Sequence, residues 1–148
     1  MGSHVTYVAV YVDDIMVTGN NQEEIHHLKS FLDSKFKIKD LGHLNFFLGI
    51  EVLYSSSGVI LTQRKFANDV LKQFQCSGKA VCPLPSNLKL LINEGELLPN
   101  PEVYRRIVGK LNFLTHTRPD LAFTVQHLSQ FMSDPRLPHF EAAMHTLR

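Results

Sequence analysis

The sequence predicts an α+β fold, in which antiparallel β-hairpins with a packed helix are followed by an all-helical region. Apolar, β-branched runs separated by short polar turns occupy residues 5–18 and 46–62, a pattern typical of hairpins. A connector with four prolines follows at residues 78–102. Beyond it, apolar residues recur at helical spacing through residues 103–148. These observations predict strands in the first half of the chain and helices in the last third.

The first hairpin is predicted from two strand-like runs, residues 5–12 and 15–18, joined by an Asp13-Asp14 turn. An amphipathic helix is expected next, because Asn21 is a suitable N-cap and carboxylates follow it in the first turn. The apolar side of this helix, at spacings of three and four, consists of Ile25, Leu28, Leu32 and Phe36.

The second hairpin is predicted from strands at residues 46–53 and 59–62, with a Ser/Gly-rich turn at residues 55–58. A helix is expected at residues 64–74, because its apolar residues fall on one side.

Three helices are expected after the connector. The first carries apolar residues from Val103 to Leu114, and the second opens at Pro119, since proline favours the first position of a helix. Asp134-Pro135 is expected to break the second helix, and the third is expected to begin near Pro138.

The composition excludes several classes of protein. With 44% hydrophobic and 20% charged residues, the chain of 148 residues is typical of a globular domain with a sizeable core. No apolar run in the sequence is long enough for a membrane span, and we expect no secretory leader. The two cysteines are too few for a disulfide framework, so we expect free thiols and an intracellular protein of unspecified compartment. Residues 1–4 resemble a cloning remnant, and we expect the chain to be cut from a longer polypeptide.

Charge is unevenly distributed along the chain. Residues 5–54 carry a net charge of −3, and residues 104–148 carry a net charge of +3. Two interpretations remain open: ordinary solvated faces, or an acidic metal-binding front with a basic, phosphate-contacting back.

The most informative motif is Tyr11-Val12-Asp13-Asp14 at the predicted tip of the first hairpin. Aspartate is common in turns, so a polar turn is one interpretation. Tight hairpins, however, favour a glycine in the turn, which this motif lacks. A Mg²⁺ ion, which binds one or two carboxylates together with substrate phosphates, is the other interpretation.

The motif resembles the catalytic hairpin of reverse transcriptases, and nearly the whole chain resembles the copia type of retrotransposon polymerase. Five further strings, in the order of that family, carry the resemblance: Lys39-Asp40-Leu41-Gly42, Phe47-Leu48-Gly49-Ile50-Glu51-Val52, Tyr104-Arg105-Arg106-Ile107-Val108-Gly109, Thr117-Arg118-Pro119-Asp120 and Leu128-Ser129-Gln130-Phe131-Met132.

The resemblance implies RNA-directed DNA synthesis by two-metal nucleotidyl transfer, with primer–template and dNTP as partners. It implies a partial palm at residues 5–77, a connector at 78–102 and a thumb-like subdomain at 103–148. Asp13 would be the main ligand of Mg²⁺ or Mn²⁺, with Asp14 assisting, and Tyr11 would line the floor beneath the primer end.

The resemblance also implies two further contacts with nucleic acid. Phe47, Leu48, Gly49 and Ile50 would form the primer grip, although a plain core strand is the alternative. Four cations of the last third would contact duplex phosphates, with a solvated helix face as the alternative; they are Arg105, Arg106, Lys110 and Arg118.

In this family, the fingers and the first half of the palm, which carries another metal-binding aspartate, precede the hairpin. We therefore expect the isolated chain to bind divalent ions weakly and not to polymerise DNA. An exposed hairpin edge, with apolar residues such as Val8, Val10 and Ile15, is expected to be covered by self-association or by rearrangement. The alternatives are a non-catalytic nucleic-acid-binding module and a protein-interaction module derived from the same fold.

Overall fold

The computed structural model describes residues 3–85 and 87–148. Met1 and Gly2, half of the expected cloning remnant, lie outside the described residues. The chain divides into two compact units, Met1–Thr62 and Gln63–Arg148, which we call the hairpin unit and the helical unit. Antiparallel hairpins and a helix precede an all-helical region, so the predicted α+β class is confirmed.

The hairpin unit begins with strands β1 (Thr6–Tyr11) and β2 (Asp14–Gly19), followed by helix α1 (Gln22–Phe36). The predicted N-cap is confirmed, because the side chain of Asn21 accepts hydrogen bonds from the backbone N–H groups of Glu23 and Glu24. Carboxylates in this first turn also suit the helix dipole. Local capping thus fixes where the chain turns from sheet to helix.

The predicted turn of the first hairpin is wrong by one residue. Tyr11 pairs with Asp14, so the two-residue turn is Val12-Asp13 and not Asp13-Asp14. The base of the hairpin sets this register: the N–H of Asn20 donates to Val5 O at 3.1 Å, and the N–H of Val5 donates to Asn20 Oδ1 at 2.8 Å. Since side chains alternate between the two faces of a strand, this one-residue difference decides which face each side chain occupies.

A second sheet contains β3 (Phe46–Phe47), β4 (Ile50–Ser55) and β5 (Gly58–Thr62) in the order β3-β4-β5. The predicted single strand at residues 46–53 is therefore wrong. The chain reverses at Leu48-Gly49, where φ is +50° and +80°, and two positive φ values in succession are typical of a type I′ hairpin turn. Glycine takes up such a φ without steric cost, so Gly49 permits the reversal.

The helical unit contains α2 (Arg64–Gln73), α3 (Pro101–Leu114), a 3₁₀ turn (Pro119–Leu121), α4 (Ala122–Ser129) and α5 (Leu137–Thr146). Each helix predicted from the periodicity is present, although α4 ends at Ser129, before the expected break at Asp134-Pro135. Helix α2 packs within this unit and not with the residues before it.

One hydrophobic core holds the helical unit together. Tyr104 at its centre is fully buried and donates its hydroxyl hydrogen to Leu128 O at 2.7 Å, which ties α3 to α4. The core consists of Val70, Leu90, Tyr104, Ile107, Val108, Leu111, Leu114, Leu121, Val125, Leu128, Phe131, Ala142, Ala143 and Leu147.

The described residues between Gly78 and Asn100 form neither a helix nor a strand beyond one isolated β-bridge, and the role of this segment as a connector stays a prediction. This segment is nevertheless fastened to the chain around α5. The guanidinium of Arg136 donates to Ile92 O at 3.0 Å and to Gly95 O at 2.8 Å. The two cysteines are free, as predicted. None of the described helices has the length and apolar character needed to cross a bilayer.

Candidate functional site

The two carboxylates of the motif lie at the tip of the β1–β2 hairpin. Asp13 occupies the turn, and Asp14 is the first residue of β2, opposite Tyr11. Both carboxylate side chains are exposed. Within the described part of the chain, every ion pair lies elsewhere, so no cation neutralises Asp13 or Asp14. Both groups are therefore accessible to a ligand from solution.

The turn that carries Asp13 is strained. Val12 has a φ of +49°, in the left-handed region that β-branched residues rarely adopt. Its side chain is 80% exposed, so no packing within the hairpin unit compensates the strain. A residue held in such a conformation costs about 1–3 kcal/mol, and strain of this kind is concentrated at functional sites.

The chemistry of the donor set fits part of a magnesium site. Mg²⁺ is a hard cation that takes one or two carboxylates and completes its octahedral shell with water and substrate phosphates. Consecutive carboxylates at an exposed tip supply that number of protein ligands. Among the described residues, no group of three or more His, Cys, Asp or Glu side chains could hold a metal ion. Asp13 and Asp14 could therefore hold an ion only together with other ligands.

Tyr11 lies beside the two carboxylates. Because strand residues two apart share a face, Tyr7, Ala9 and Tyr11 share one face of β1, while Val8 and Val10 share the other. Tyr7 is 66% exposed and Val10 is also 66% exposed, so neither face of this strand is covered within the hairpin unit. The tip is thus flanked by aromatic and aliphatic surface.

The predicted primer grip forms a hairpin turn of its own. Phe47 pairs with Ile50 across the Leu48-Gly49 turn. Leu48 is 40% exposed at the turn, while its three neighbours are half-buried. The string is thus a hairpin and not the plain core strand considered as its alternative, but its contact with a primer stays a prediction.

Three of the four predicted phosphate-contacting residues already have partners within the helical unit. Arg105 ties the first turn of α3 to the chain after α4, through bonds to Glu102 Oε1 at 2.7 Å and Met132 O at 2.8 Å. Lys110 lies with Nζ 5.3 Å from the ring centroid of Phe66. These contacts hold both side chains close to the protein surface.

Arg118 is also paired with a neighbouring carboxylate, whereas Arg106 is not. Arg118 forms two hydrogen bonds with the carboxylate of Asp120, at 3.0 and 2.8 Å. This pairing lowers the pKa of Asp120 and raises the pKa of Arg118. Arg106 is exposed and forms no ion pair with any described residue.

The sequence carries no clear signal for the four buried polar residues described in the helical unit, and two of them, Gln63 and His139, fasten its elements together. Gln63 donates from Nε2 to Phe113 O at 3.1 Å and accepts from the Thr117 hydroxyl at 2.8 Å, which fastens the start of α2 to the end of α3. A lone glutamine before a helix carries no sequence signal for such a role.

The second of these residues, His139, is fully buried. Its Nδ1 accepts the backbone N–H of Arg136 at 3.0 Å, so the proton of the neutral ring lies on Nε2, which donates to Leu91 O at 3.0 Å. Burial lowers the pKa of this imidazole, and the nearby charge of Arg136 lowers it further. Only its place in the first turn of a helix after a proline hinted at a structural role.

Comparison with known proteins identifies the class to which this fold and this acidic hairpin belong. The family described as reverse transcriptase (RNA-dependent DNA polymerase) matches residues 1–87, more than half of the chain. The chain therefore belongs to the reverse transcriptase family, and the family predicted from the motifs is confirmed.

Individual proteins that are similar to this chain give more detail than the family alone. The chain is 39% identical, over 99% of its length, to the retrovirus-related Pol polyprotein from transposon RE2 of Arabidopsis thaliana. It is 37% identical, over 96% of its length, to an uncharacterized mitochondrial protein of the same plant, 60% of which is covered. It is 32% identical, over 96% of its length, to a putative transposon Ty5-1 protein of Saccharomyces cerevisiae, 47% of which is covered.

The chain spans about a tenth of the length of the RE2 polyprotein. No solved structure matches it.

Proposed function

We propose that this chain supplies the catalytic hairpin and the primer-contacting part of a copia-type reverse transcriptase. The observation that carries the proposal is the pair of exposed carboxylates, Asp13 and Asp14, on a strained hairpin tip. Membership of the reverse transcriptase family supports the assignment of this tip to RNA-directed DNA synthesis.

In this proposal, Asp13 is the main ligand of Mg²⁺ or Mn²⁺ and Asp14 assists it. Bound divalent ions would stabilise the negative charge that develops as a primer 3′-hydroxyl displaces pyrophosphate from a dNTP. The side chains of the two aspartates orient the ions, and Tyr11, opposite Asp14, forms the adjoining floor beneath the primer end. The partners are therefore a primer–template and a dNTP.

The second sheet and the helical unit have the roles of primer grip and thumb. At the Leu48-Gly49 turn, between Phe47 and Ile50, the missing side chain of Gly49 would let a primer sugar–phosphate approach the backbone closely. Of the four predicted phosphate-contacting cations, Arg106 is the one best placed to contact phosphates, because Arg105, Lys110 and Arg118 have partners of their own.

We further propose that the isolated chain is inactive as a polymerase. Two carboxylates alone leave a pair of metal ions without a bridging protein ligand, and the described residues bring no third acidic or histidine side chain to the tip. Divalent binding is accordingly weak.

Two free thiols support an intracellular setting.

Self-association through the first hairpin is the remaining part of the proposal. Val8 and Val10 on one face of β1 and Tyr7 and Tyr11 on the other are all about half exposed or more, and the sheet has only two strands. Open edges and apolar faces of this kind favour pairing with a second copy. Sedimentation of a monomer at high concentration would contradict it.

Paramagnetic Mn²⁺ tests the proposed metal site on the chain as it is. Mn²⁺ broadens the NMR signals of nearby residues, so we expect broadening centred on Asp13 and Asp14 at sub-stoichiometric ion. Glu23 and Glu24, another pair of adjacent exposed carboxylates, provide an internal control on a helix. Their amides are expected to stay sharp at the same ion concentration.

The double variant Asp13→Asn, Asp14→Asn keeps the size of both side chains and removes both charges. It is expected to abolish the broadening at the tip, whereas Glu23→Gln, Glu24→Gln leaves it unchanged. Equal broadening at both acidic pairs, or none at the tip, would refute the metal site.

A non-catalytic nucleic-acid-binding module is the second candidate, favoured by the scarcity of acidic ligands at the tip. Primer–template binding measured at several salt concentrations separates the two candidates from a protein-interaction module, because phosphate contacts weaken as salt rises. Asp13→Ala with Asp14→Ala then separates them from each other. Loss of Mg²⁺-dependent binding supports the polymerase site, and unchanged or tighter binding supports the non-catalytic module.

A further inference from the structure

An aromatic ladder runs along α4 of the helical unit and ends in an exposed ring. Phe131, at the inner end, stacks on His139 with 3.9 Å between ring centroids. His127 meets Phe131 edge-on at 5.7 Å, and Phe123 lies parallel to His127 at 6.3 Å with only 3° between the ring planes. The four rings form one continuous series from the core to the surface.

The inner end of the ladder is fixed. His139 is fully buried and hydrogen-bonded through both ring nitrogens, and Phe131 is 4% exposed. Helical spacing of four residues places Phe123, His127 and Phe131 on one side of α4 and of the turn that follows it. The outer ring is therefore attached to a helix whose orientation is set by buried contacts.

The outer end of the ladder is open. The ring of Phe123 is 76% exposed. Every other described phenylalanine or tyrosine of the helical unit is buried or half-buried: Phe66, Phe74, Tyr104, Phe113, Phe131 and Phe140. An aromatic ring on a rigid helix contributes contact area at little entropic cost, so a ring left open in this way is suited to binding.

The surroundings of the ring indicate what it binds. Helix α4 carries no Asp, Glu, Lys or Arg, and its other exposed residues are Ala122, Gln126 and Ser129, so Phe123 is the one large apolar side chain exposed on this helix. The helical unit, residues 63–148, carries 11 Lys and Arg residues against 7 Asp and Glu residues, which gives a net charge of +4. A lone ring on a basic unit favours a base of a nucleic acid strand, since every base offers a π-face for stacking.

We propose that Phe123 is a stacking site for an unpaired base of a single-stranded nucleic acid, such as template beyond the duplex. The inference rests on the proposed function, because it assigns one contact of the nucleic acid that the helical unit would hold. Phosphates of the strand would be attracted by the net positive charge of the unit, and the base would lie on the free face of the ring.

The chain contains no tryptophan, so Phe123→Trp introduces a single fluorescent reporter at the proposed site. Stacking of a base quenches indole emission, and we expect saturable quenching by a twelve-residue oligothymidylate at low salt. An abasic oligomer of the same length keeps the phosphates and lacks the bases, so it is expected to leave the emission unchanged. Phe36→Trp, at another exposed ring in the hairpin unit, is the matched control and is expected to show no quenching.

Affinity measured by anisotropy of labelled oligothymidylate completes the test. We expect Phe123→Ala to weaken binding about fivefold or more and Phe123→Tyr to retain it, since stacking on one ring contributes that much or more. Because Phe123 is largely exposed, neither change is expected to alter the fold, and circular dichroism checks this.

Three outcomes would overturn the inference. Wild-type binding that is unaffected by Phe123→Ala, together with unquenched emission in the Phe123→Trp variant, removes the stacking site and leaves the proposed function intact. Absence of any oligonucleotide binding by the wild-type chain at low salt contradicts both. A loss of self-association in Phe123→Ala, with nucleic-acid affinity unchanged, assigns the ring to a protein contact instead.

Discussion

The two units of this chain differ in how they use their apolar residues. In the helical unit, apolar side chains converge on one core around Tyr104 and Leu128. In the described part of the hairpin unit, only Ile25 and Val52 are buried hydrophobic residues. The hairpins instead expose large side chains on both faces: Tyr7, Val8, Val10, Tyr11, Leu53, Tyr54, Val59, Ile60 and Leu61.

This difference separates two uses of hydrophobicity. Burial within the helical unit supplies the main favourable free energy for its own folding. The exposed apolar surface of the hairpin unit contributes nothing to its own core, and continuous exposed apolar surface typically marks an interaction site. We therefore expect the helical unit to dominate the stability of the chain, and we expect the apolar surface of the hairpin unit to be available for contacts with partners.

The largest expected effect is the loss of core packing in the helical unit. Leu128 is fully buried, so Leu128→Ala should lower the free energy of unfolding by about 2–5 kcal/mol. Leu53→Ala, at a residue 53% exposed in β4, makes the same chemical change and should cost less than about 1 kcal/mol. Denaturant unfolding followed by circular dichroism measures both, and equal losses would contradict the contrast between the units.

A smaller effect is expected from pH and again concerns the helical unit. The folded pKa of His139 is lowered by burial, so the unfolded chain takes up this proton more readily than the folded chain. Stability from this residue is present above about pH 6.5, the ordinary histidine pKa, and is lost as pH falls below it. The groups that face the ring are Arg136, Asp134, His127 and the carbonyl of Leu91.

Unfolding midpoints measured between pH 8 and pH 5 test this expectation. The wild-type chain should lose stability below about pH 6.5, and His139→Gln should lose less of its own stability over the same range. His145→Gln is the control, because His145 lies later on the same helix and no buried ring is removed. Parallel curves for wild type and His139→Gln would contradict the assignment.

The hydroxyl group of Tyr104 should matter less than the apolar core around it. Tyr104→Phe removes the hydrogen bond to Leu128 O and keeps the ring, so a loss of about 1 kcal/mol is expected. Tyr54→Phe, at an exposed tyrosine of β4, is the control and should change stability by less than about 0.5 kcal/mol. A loss at Tyr104 as large as that of Leu128→Ala would mean that the polar contact, not packing, holds α3 to α4.

The smallest effect is expected at the tip of the first hairpin and has the opposite sign. Val12→Gly relieves the positive φ and should stabilise the β1–β2 hairpin by up to about 1 kcal/mol, offset in part by the entropy of glycine. Amide exchange of the β1 and β2 backbone measures this locally. Val10→Gly, inside β1, should instead speed exchange, and faster exchange in Val12→Gly would show that the turn is not strained.

Local signals in the sequence predicted most elements of both units. The sequence predicts Asn21 as an N-cap because asparagine can accept hydrogen bonds from backbone N–H groups two and three residues later in the chain. This interaction is purely local. The helices of the last third followed from periodic burial, which also depends on neighbours along the chain. The family followed from short strings in a fixed order.

The sequence-based predictions are wrong where contacts between residues distant in the sequence determine the structure. The turn at Val12-Asp13 is set by Asn20 and Val5 at the opposite end of the hairpin, and a strained valine is not expected there from turn preferences. The break at Leu48-Gly49 could have been inferred from a glycine inside an apolar run, but the composition of the run alone predicted one strand.

The candidate site was only partly predictable for the same reason. Asp13 and Asp14 are adjacent in sequence, so their proximity needs no fold. The surroundings of Arg105 depend on the carbonyl of Met132, 27 residues away, and no property of an arginine on a helix indicates that its side chain is already bound.

The contacts of Arg136 constrain the path and the length of the connector. The guanidinium of Arg136 donates hydrogen bonds to the carbonyls of Ile92 and Gly95, and Leu97 forms an isolated β-bridge with the backbone of Arg136. Residues 92–97 therefore follow a defined path although they form no regular helix or long strand. The number of residues in this part of the connector is therefore fixed by its contacts with Arg136. Residues inserted between Leu91 and Leu98 would therefore displace the carbonyls of Ile92 and Gly95 from the single Arg136 side chain that binds them.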